Sequence, residues 1–156
     1  MKDLSQWLGR GLIGLALLLP FASQAVEGIT VLDSNFGVDE TEQRLIEAVE
    51  NNGLTVMVQV DHKANAKTVG LDMPATRLVV FGNPKLGTQL MKCSPTVAID
   101  LPMKMLIWEE GETVKVAYNT VDYLVDRHQI DDCAASALEK VRQALDGFAK
   151  EAAGVE

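Results

Sequence analysis

Aliphatic side chains occupy every second position from Leu54 to Val60, and this pattern restricts the fold of the chain more than any other feature. Leu54, Val56, Val58 and Val60 have the two-residue period of a β-strand with one buried face. We therefore predict that these four side chains point together toward the core. A strand of this kind needs neighbouring strands beside it and helices to cover its apolar face.

The rest of the sequence after residue 25 divides into short strands and amphipathic helices, with turn residues between them. Strands are predicted at Gly28 to Leu32, Arg77 to Phe81, Met103 to Trp108 and Thr113 to Tyr118, the last two joined as a hairpin by Glu110-Gly111. Helices are predicted from Asp39 as N-cap to Asn52-Gly53, from Pro84 to Lys92, from Val121 to His128 and from near Asp131 onward. Asp61 to Met73 is predicted as loop or a loose helical turn, and Thr96 to Leu101 as the approach to a strand. The order β-α-β-β-α-β-β-α-α predicts an α+β fold, with a single mixed, largely antiparallel sheet and helices packed on it.

The first 25 residues have the pattern of a secretory signal peptide. Lys2 and Arg10 precede an apolar run of nine residues from Gly11 to Leu19, and Ser23-Gln24-Ala25 supplies small residues for cleavage. The run is shorter than the roughly 20 residues that span a bilayer. We therefore expect residues 1–25 to be removed and residues 26–156 to form one domain, periplasmic or secreted and without stable membrane insertion. An uncleaved N-terminal anchor is the alternative.

The charge balance argues against one class of partner. The chain has 14 Lys and Arg against 22 Asp and Glu, a net charge of −8. Because nucleic-acid binding depends on Lys and Arg contacts to phosphates, and no basic stripe is present, we expect no nucleic-acid partner.

Two cysteines remain after signal removal, Cys93 and Cys133. In an oxidising compartment thiols tend to pair, which favours a disulfide between them. Two buried free thiols, or one reactive thiol, are the alternatives.

The two histidines are the candidates for chemistry. His62 follows Asp61 at the end of the predicted second strand and continues its buried face, so its imidazole can be a structural group, a metal ligand or a proton carrier. His128 ends a helix, where the helix dipole favours a cation, and capping explains it. Methionine sulfur can bind Cu(I) or haem iron, but filling gaps in the core explains these methionines better. The chain has no phosphate-binding glycine loop, CxxC or CxxCH motif.

Several motifs occur in a characteristic order. They are Val60-Asp61-His62, Phe81 to Met91, Ile99 to Glu109, Tyr118-Asn119 and Tyr123 to His128. Together they resemble the bacterial family catalogued as domain of unknown function 302. The resemblance implies a compact α+β domain that forms dimers, and no established activity. It also places eight candidate ligand-binding residues at motif positions: Asp61, His62, Asn83, Met91, Asp100, Tyr118, Asn119 and His128.

Our leading hypothesis is an exported, non-enzymatic homodimer that holds a small ligand, metal or haem in a pocket near His62. Asp61, Met91 and Tyr118 are its expected neighbours in that pocket, with His62 as the metal ligand. One alternative is an enzyme that uses His62, perhaps with Cys93, for acid–base or redox chemistry. Another is an envelope interaction protein without a small-molecule site. The sequence identifies no cofactor.

Overall fold

A computed structural model describes residues 26–130 and 132–156 of the chain. The signal-peptide prediction, and the predicted start of the last helix near Asp131, fall outside these residues. The strands are β1 (Ile29–Ser34), β2 (Thr55–Asp61), β3 (Thr76–Gly82), β4 (Met103–Glu110) and β5 (Thr113–Asn119). The helices are α1 (Val38–Asn51), α2 (His62–Thr68), α3 (Pro84–Cys93), α4 (Val121–His128) and α5 (Ala135–Ala153). Two 3₁₀ segments, Pro95–Ile99 and Asp132–Ala134, precede β4 and α5.

The five strands form one sheet in the order β1-β5-β4-β3-β2, and every neighbouring pair is antiparallel. β1 and β2 lie at opposite edges, so α1 carries the chain across the sheet between them. The predicted α+β class is confirmed, and the sheet is antiparallel throughout. Among the described residues, no helix is both long and apolar enough to span a membrane.

The core lies between one face of the sheet and the helices α1 and α5. Val79, Met105, Ile107 and Val116 are fully buried on that face. Phe81 packs edge-to-face on Phe148 of α5, with 5.8 Å between ring centroids. Aromatic pairs favour this geometry because the positive ring edge meets the negative ring face.

A β-bulge in β2 overturns the prediction that Leu54, Val56, Val58 and Val60 share one face. Val56 pairs with Phe81, whereas Val58 pairs with Val80, so Met57 is an extra residue in the strand. Directly paired residues point to the same side of a sheet. Val56 therefore lies on the helix side with Phe81, and Val58 lies on the opposite side. One added residue reverses the side of every residue that follows it.

The side of the sheet away from α1 and α5 is apolar at its centre. We call it the open sheet face, and it carries Val31, Val58, Leu78, Val80 and Leu106. Val31 and Val58 are 48% and 49% exposed, and the other three side chains are half-buried.

Several element boundaries differ from the predictions. α1 begins at Val38 after Gly37 and has no side-chain cap, so the prediction that Asp39 caps it is wrong. Asn83 caps α3 and Thr120 caps α4, each by accepting a hydrogen bond from a backbone N–H. Asp61 caps α2, which forms in the segment predicted as loop or loose turn. The expected approach to β4 is a 3₁₀ helix.

Candidate functional site

An apolar cavity of about 320 Å³ lies between α3 and α5, at the end of the sheet where β3 finishes and β4 begins. Its walls are aliphatic and aromatic apart from Asn83 and the glycines at positions 82 and 87. The lining residues include Met57, Asn83, Gly87, Met91, Leu101 and Ala144. Cavities with mostly apolar walls and a few polar groups are the usual form of small-molecule sites.

Two glycines keep this cavity open. A Cβ atom at Gly87 would meet only Leu101 Cδ1, at 3.8 Å, so a longer side chain there would enter free space. A Cβ at Gly82 would lie 3.4 Å from Pro102 Cβ and 3.5 Å from Met57 Cε. The missing side chains at these positions therefore help to form the void.

Two of the eight predicted site residues line this cavity. The Oδ1 atom of Asn83 accepts a hydrogen bond from the backbone N–H of Lys85 at 2.9 Å, so its amide group is held at the start of α3. Met91 lies in the last turn of the same helix and is 37% exposed. Met57 and Met103 also line the cavity. Flexible, polarizable thioethers suit a site that adapts to an apolar ligand.

His62 is not in the cavity, which corrects the expectation that it shares a pocket with Met91 and Tyr118. It is the first residue of α2, is half-buried, and lines neither the apolar cavity nor the depression beside Tyr118. The bulge in β2 and the onset of α2 at Asp61 remove the strand alternation on which the expectation depended. No group of three or more His, Cys, Asp or Glu side chains in residues 26–130 and 132–156 could hold a metal ion.

Asp61 belongs to an ion-pair cluster around Arg77. The Arg77 guanidinium pairs with Asp61 and lies 3.3 Å from carboxylate oxygens of both Asp39 and Glu42. The backbone N–H of Ala64 and the guanidinium together lower the pKa of Asp61. Burial raises the pKa of Glu42, although Arg77 opposes this effect. The cluster joins α1, β2 and β3, and Asp61 lies outside the apolar cavity.

Tyr118 and Asn119 lie at the end of β5, away from the apolar cavity. Tyr118 lines a separate shallow depression with Thr30, Asp122 and Arg142, and burial raises its pKa. Asn119 pairs with Ile29 of β1. Tyr118 and Met91 therefore occupy different parts of the molecule.

Asp100 and His128, far apart in sequence, are in direct contact. The Asp100 Oδ2 atom lies 2.6 Å from His128 Nε2, and Thr96 Oγ1 lies 3.0 Å from His128 Nδ1. The His128 side chain is 4% exposed. Its position at the last turn of α4 matches the prediction, but its ring is engaged on both nitrogens.

Cys93 and Cys133 form a disulfide. The bond joins the end of α3 to the 3₁₀ segment before α5, so it ties together the two helices on either side of the cavity. Because both sulfurs are in the bond, neither is a free thiol for the nucleophile that the enzyme hypothesis assigned to Cys93.

Most residues that line the cavity were not predicted as site residues from the sequence. Leu101, Ala144 and Gly87 look like ordinary core or turn residues in the sequence, and only the packing of α3 against α5 brings them to one void. One residue in the sequence could have indicated the cavity. Gly87 lies inside a predicted helix, although glycine weakens helices. Such a residue often has a packing reason, and here it leaves room in the cavity.

Comparison with known proteins gives the family of the chain. Residues 30–148 match the family described as "Domain of unknown function DUF302". The chain belongs to the DUF302 family. This DUF302 domain has the fold of an uncharacterized conserved DUF302 protein from Bacillus stearothermophilus, with a TM-score of 0.73 and 20% identity over 81% of this chain and 99% of that chain.

Two curated relatives from Brucella are similar to this DUF302 chain. It is 35% identical over 136 residues to "Fluoride-specific ion channel FluC 1" of Brucella suis, covering 86% of this chain and 54% of the relative. It is also 35% identical to "Fluoride-specific ion channel FluC 2" of Brucella melitensis, covering 86% of this chain and 50% of the relative. The chain therefore spans about half the length of the curated relatives it matches.

Proposed function

We propose that this domain binds a small apolar molecule in the cavity between α3 and α5. The observation that carries the proposal is a preformed void of about 320 Å³ whose walls are almost wholly apolar. Walls of this kind offer water few hydrogen-bond partners, so an apolar ligand can displace water from the cavity at little cost. Asn83 is the one polar side chain on the wall and can orient the ligand.

We therefore place the proposed binding site in the cavity between α3 and α5, and no longer near His62. His62 does not line the cavity, and the cavity walls carry no histidine or carboxylate. These observations favour an organic ligand over a His62-bound metal or haem. The disulfide at Cys93 argues in the same way against an enzyme that pairs His62 with a Cys93 thiolate.

A cavity-filling substitution tests the proposal. Gly87→Leu places a side chain in the void, whereas Gly147→Leu adds the same group to α5 at a position with nothing within 4 Å. Both changes replace a helical glycine by a strong helix former, so both should leave the helices intact. We expect the apolar dye N-phenyl-1-naphthylamine to bind the wild type and Gly147→Leu equally, and Gly87→Leu at least 10-fold more weakly. Equal binding to all three proteins, or none to the wild type, would rule the cavity out as the site.

We also propose that the domain is exported and acts as a homodimer. The disulfide supports export, because such bonds persist in oxidising compartments. The open sheet face supports a dimer, because it has exposed apolar side chains on both edge strands and half-buried aliphatic side chains between them, which is typical of protein contact surfaces.

The curated relatives suggest a second function. Their names describe a fluoride-specific channel, and this chain matches about half of their length. We propose on this ground that the domain assists a membrane fluoride channel. Deleting its gene should lower the fluoride concentration that stops growth, and restoring the gene should reverse the change. Unchanged fluoride tolerance in the deletion strain would refute this second function and leave the cavity proposal intact.

A further inference from the structure

We infer that Thr96, His128 and Asp100 form a hydrolytic triad that acts on carboxylic esters with a small apolar acyl group. This activity goes beyond ligand binding in the cavity. None of the three residues lines the apolar cavity, so the two proposals stand on separate parts of the molecule.

The distances join a hydroxyl, an imidazole and a carboxylate in one chain of hydrogen bonds. Thr96 Oγ1 lies 3.0 Å from His128 Nδ1, and His128 Nε2 lies 2.6 Å from Asp100 Oδ2. A nucleophile within hydrogen-bond reach of a base, and a third group that orients the base, are the geometric requirements for an activated hydroxyl. The side chains of His128 and Asp100 are 4% and 13% exposed, so water screens their contact poorly.

The hydrogen-bonding capacities fix the direction of proton transfer. A carboxylate oxygen only accepts, so Nε2 carries the proton that is donated to Asp100, and Nδ1 is an acceptor in the form of the ring that acts as a base. The Thr96 hydroxyl therefore donates to Nδ1. Ser94 Oγ donates to the His128 carbonyl at 2.8 Å, and this bond holds the 3₁₀ segment against the end of α4. The assignment is the relay of a serine hydrolase, with the roles of the two ring nitrogens exchanged.

The hydroxyl is reachable from solvent. Thr96 is exposed and lines a shallow groove together with Pro95, Ile99, Arg127 and His128. Ile99 is 72% exposed and offers an apolar surface for an acyl group. The Arg127 side chain is 47% exposed on the wall of this groove, with its Nε 3.4 Å from Asp100 Oδ2 and one N–H donated to the Tyr123 hydroxyl, so part of its guanidinium remains for other partners. A cation so placed can stabilise the negative charge that forms on a carbonyl oxygen under attack.

The reaction uses only the ester and water. Thr96 Oγ1 bonds to the carbonyl carbon while its proton moves to His128 Nδ1. The carbon–oxygen bond to the alcohol then breaks, and the alcohol leaves with the proton from Nδ1. Water next attacks the acyl-threonine and gives a proton to Nδ1, which returns it to Thr96 as the free acid departs.

A fluorophosphonate probe tests the nucleophile directly, because attack by Thr96 forms a phosphorus–oxygen bond and releases fluoride. We expect one adduct per chain by intact mass, located at Thr96 by peptide mapping, and release of p-nitrophenol from p-nitrophenyl butyrate. Thr96→Val keeps the branched side chain without the hydroxyl and should abolish the adduct. Asp100→Asn should slow both reactions roughly 100-fold or more, the usual contribution of general-base catalysis. Thr88→Val removes an exposed threonine hydroxyl from α3 and should behave as wild type.

The proposal is overturned if folded wild-type protein forms no adduct at Thr96, or if label and hydrolysis both persist in Thr96→Val. An adduct on Ser94 would also overturn it. Dye binding to the apolar cavity, measured on the same samples, reports separately on the proposed function.

Discussion

At the scale of single residues, two of the three carboxylates around Arg77, Asp61 and Glu42, should respond to pH in opposite directions. The folded-state pKa of Asp61 lies below its ordinary value of 3.8, because the Ala64 N–H and Arg77 stabilise the carboxylate. Asp61 therefore stabilises the fold above pH 3.8, and this contribution is lost as the pH falls through the folded value. The folded-state pKa of Glu42 lies above 4.5, chiefly because of burial. Its contribution is thus present below pH 4.5 and is lost as the pH rises through the folded value.

We therefore expect Asp61→Asn to be less stable than wild type at pH 6, and Glu42→Gln to be more stable. Both differences should shrink between pH 6 and pH 3, because the pH then passes the ordinary pKa values of the two carboxyls, 3.8 and 4.5. Asn can still cap α2, so the first substitution isolates the charge. Urea unfolding of the three proteins at pH 6 and pH 3 measures these differences. Differences of the same sign for both variants would contradict this account of the cluster.

The sequence predicted the role of a single residue well only where the residue's partner is close in sequence. The caps formed by Asn83 and Thr120 were predictable, because each bonds a backbone N–H two or three residues away. The contact between Asp100 and His128 was not predictable, because 28 residues separate them and only the tertiary fold sets their distance. The family motifs drew attention to both residues without indicating that they touch.

At the scale of elements, the bulge in β2 gives a direct mutational test. Val56 and Val58 would be equivalent in a regular strand, but the bulge places Val56 on the helix side with Phe81 and leaves Val58 49% exposed. We expect Val56→Thr to lower the free energy of unfolding by about 1–3 kcal/mol, because a hydroxyl is buried against the core. Val58→Thr should change it by no more than about 0.5 kcal/mol. Chemical denaturation measures both values, and equal losses would mean that the strand has no bulge.

The bulge also explains why β2 was only partly predictable. Alternation located the strand to within one residue at each end, but aliphatic residues continue past Met57 with the same period. The sequence therefore carries no local mark of the extra residue. The side of Val58 is decided by its pairing with Val80, which is a non-local contact.

The disulfide between α3 and the segment before α5 should contribute strongly to stability. It joins residues 40 positions apart, and the chain-entropy account gives about 4 kcal/mol for a loop of this length. We expect the double variant Cys93→Ser/Cys133→Ser to lose about that amount in urea unfolding. Wild-type protein treated with dithiothreitol should unfold at the same urea concentration as the variant. An unchanged midpoint in both samples would exclude a stabilising role for the bond.

At the scale of the whole molecule, the α+β class followed from the order of elements, because five short strands and amphipathic helices admit few packings. The cavity did not follow, because its walls come from strands, helices and a 3₁₀ segment that meet only in the folded domain. The same limit applied to the open sheet face. A pattern of alternating residues predicts that one side of a strand is buried, but it does not say what covers the other side.

The open sheet face therefore leads to the prediction about assembly. Val31 lies on edge strand β1 and Val58 on edge strand β2, each about half exposed, with half-buried aliphatic side chains between them. If this face joins two copies, Val31→Lys/Val58→Lys should place two buried charges per copy in the interface and favour the monomer, because unpaired charges are costly to desolvate.

Val69→Lys is the matched control, since Val69 is 70% exposed and lies outside the sheet. Sedimentation velocity should give a dimer for wild type and Val69→Lys and a monomer for the double variant, with unchanged circular dichroism in all three. A wild-type monomer at all concentrations, or a dimer that survives the double substitution, would exclude this face as the dimer interface.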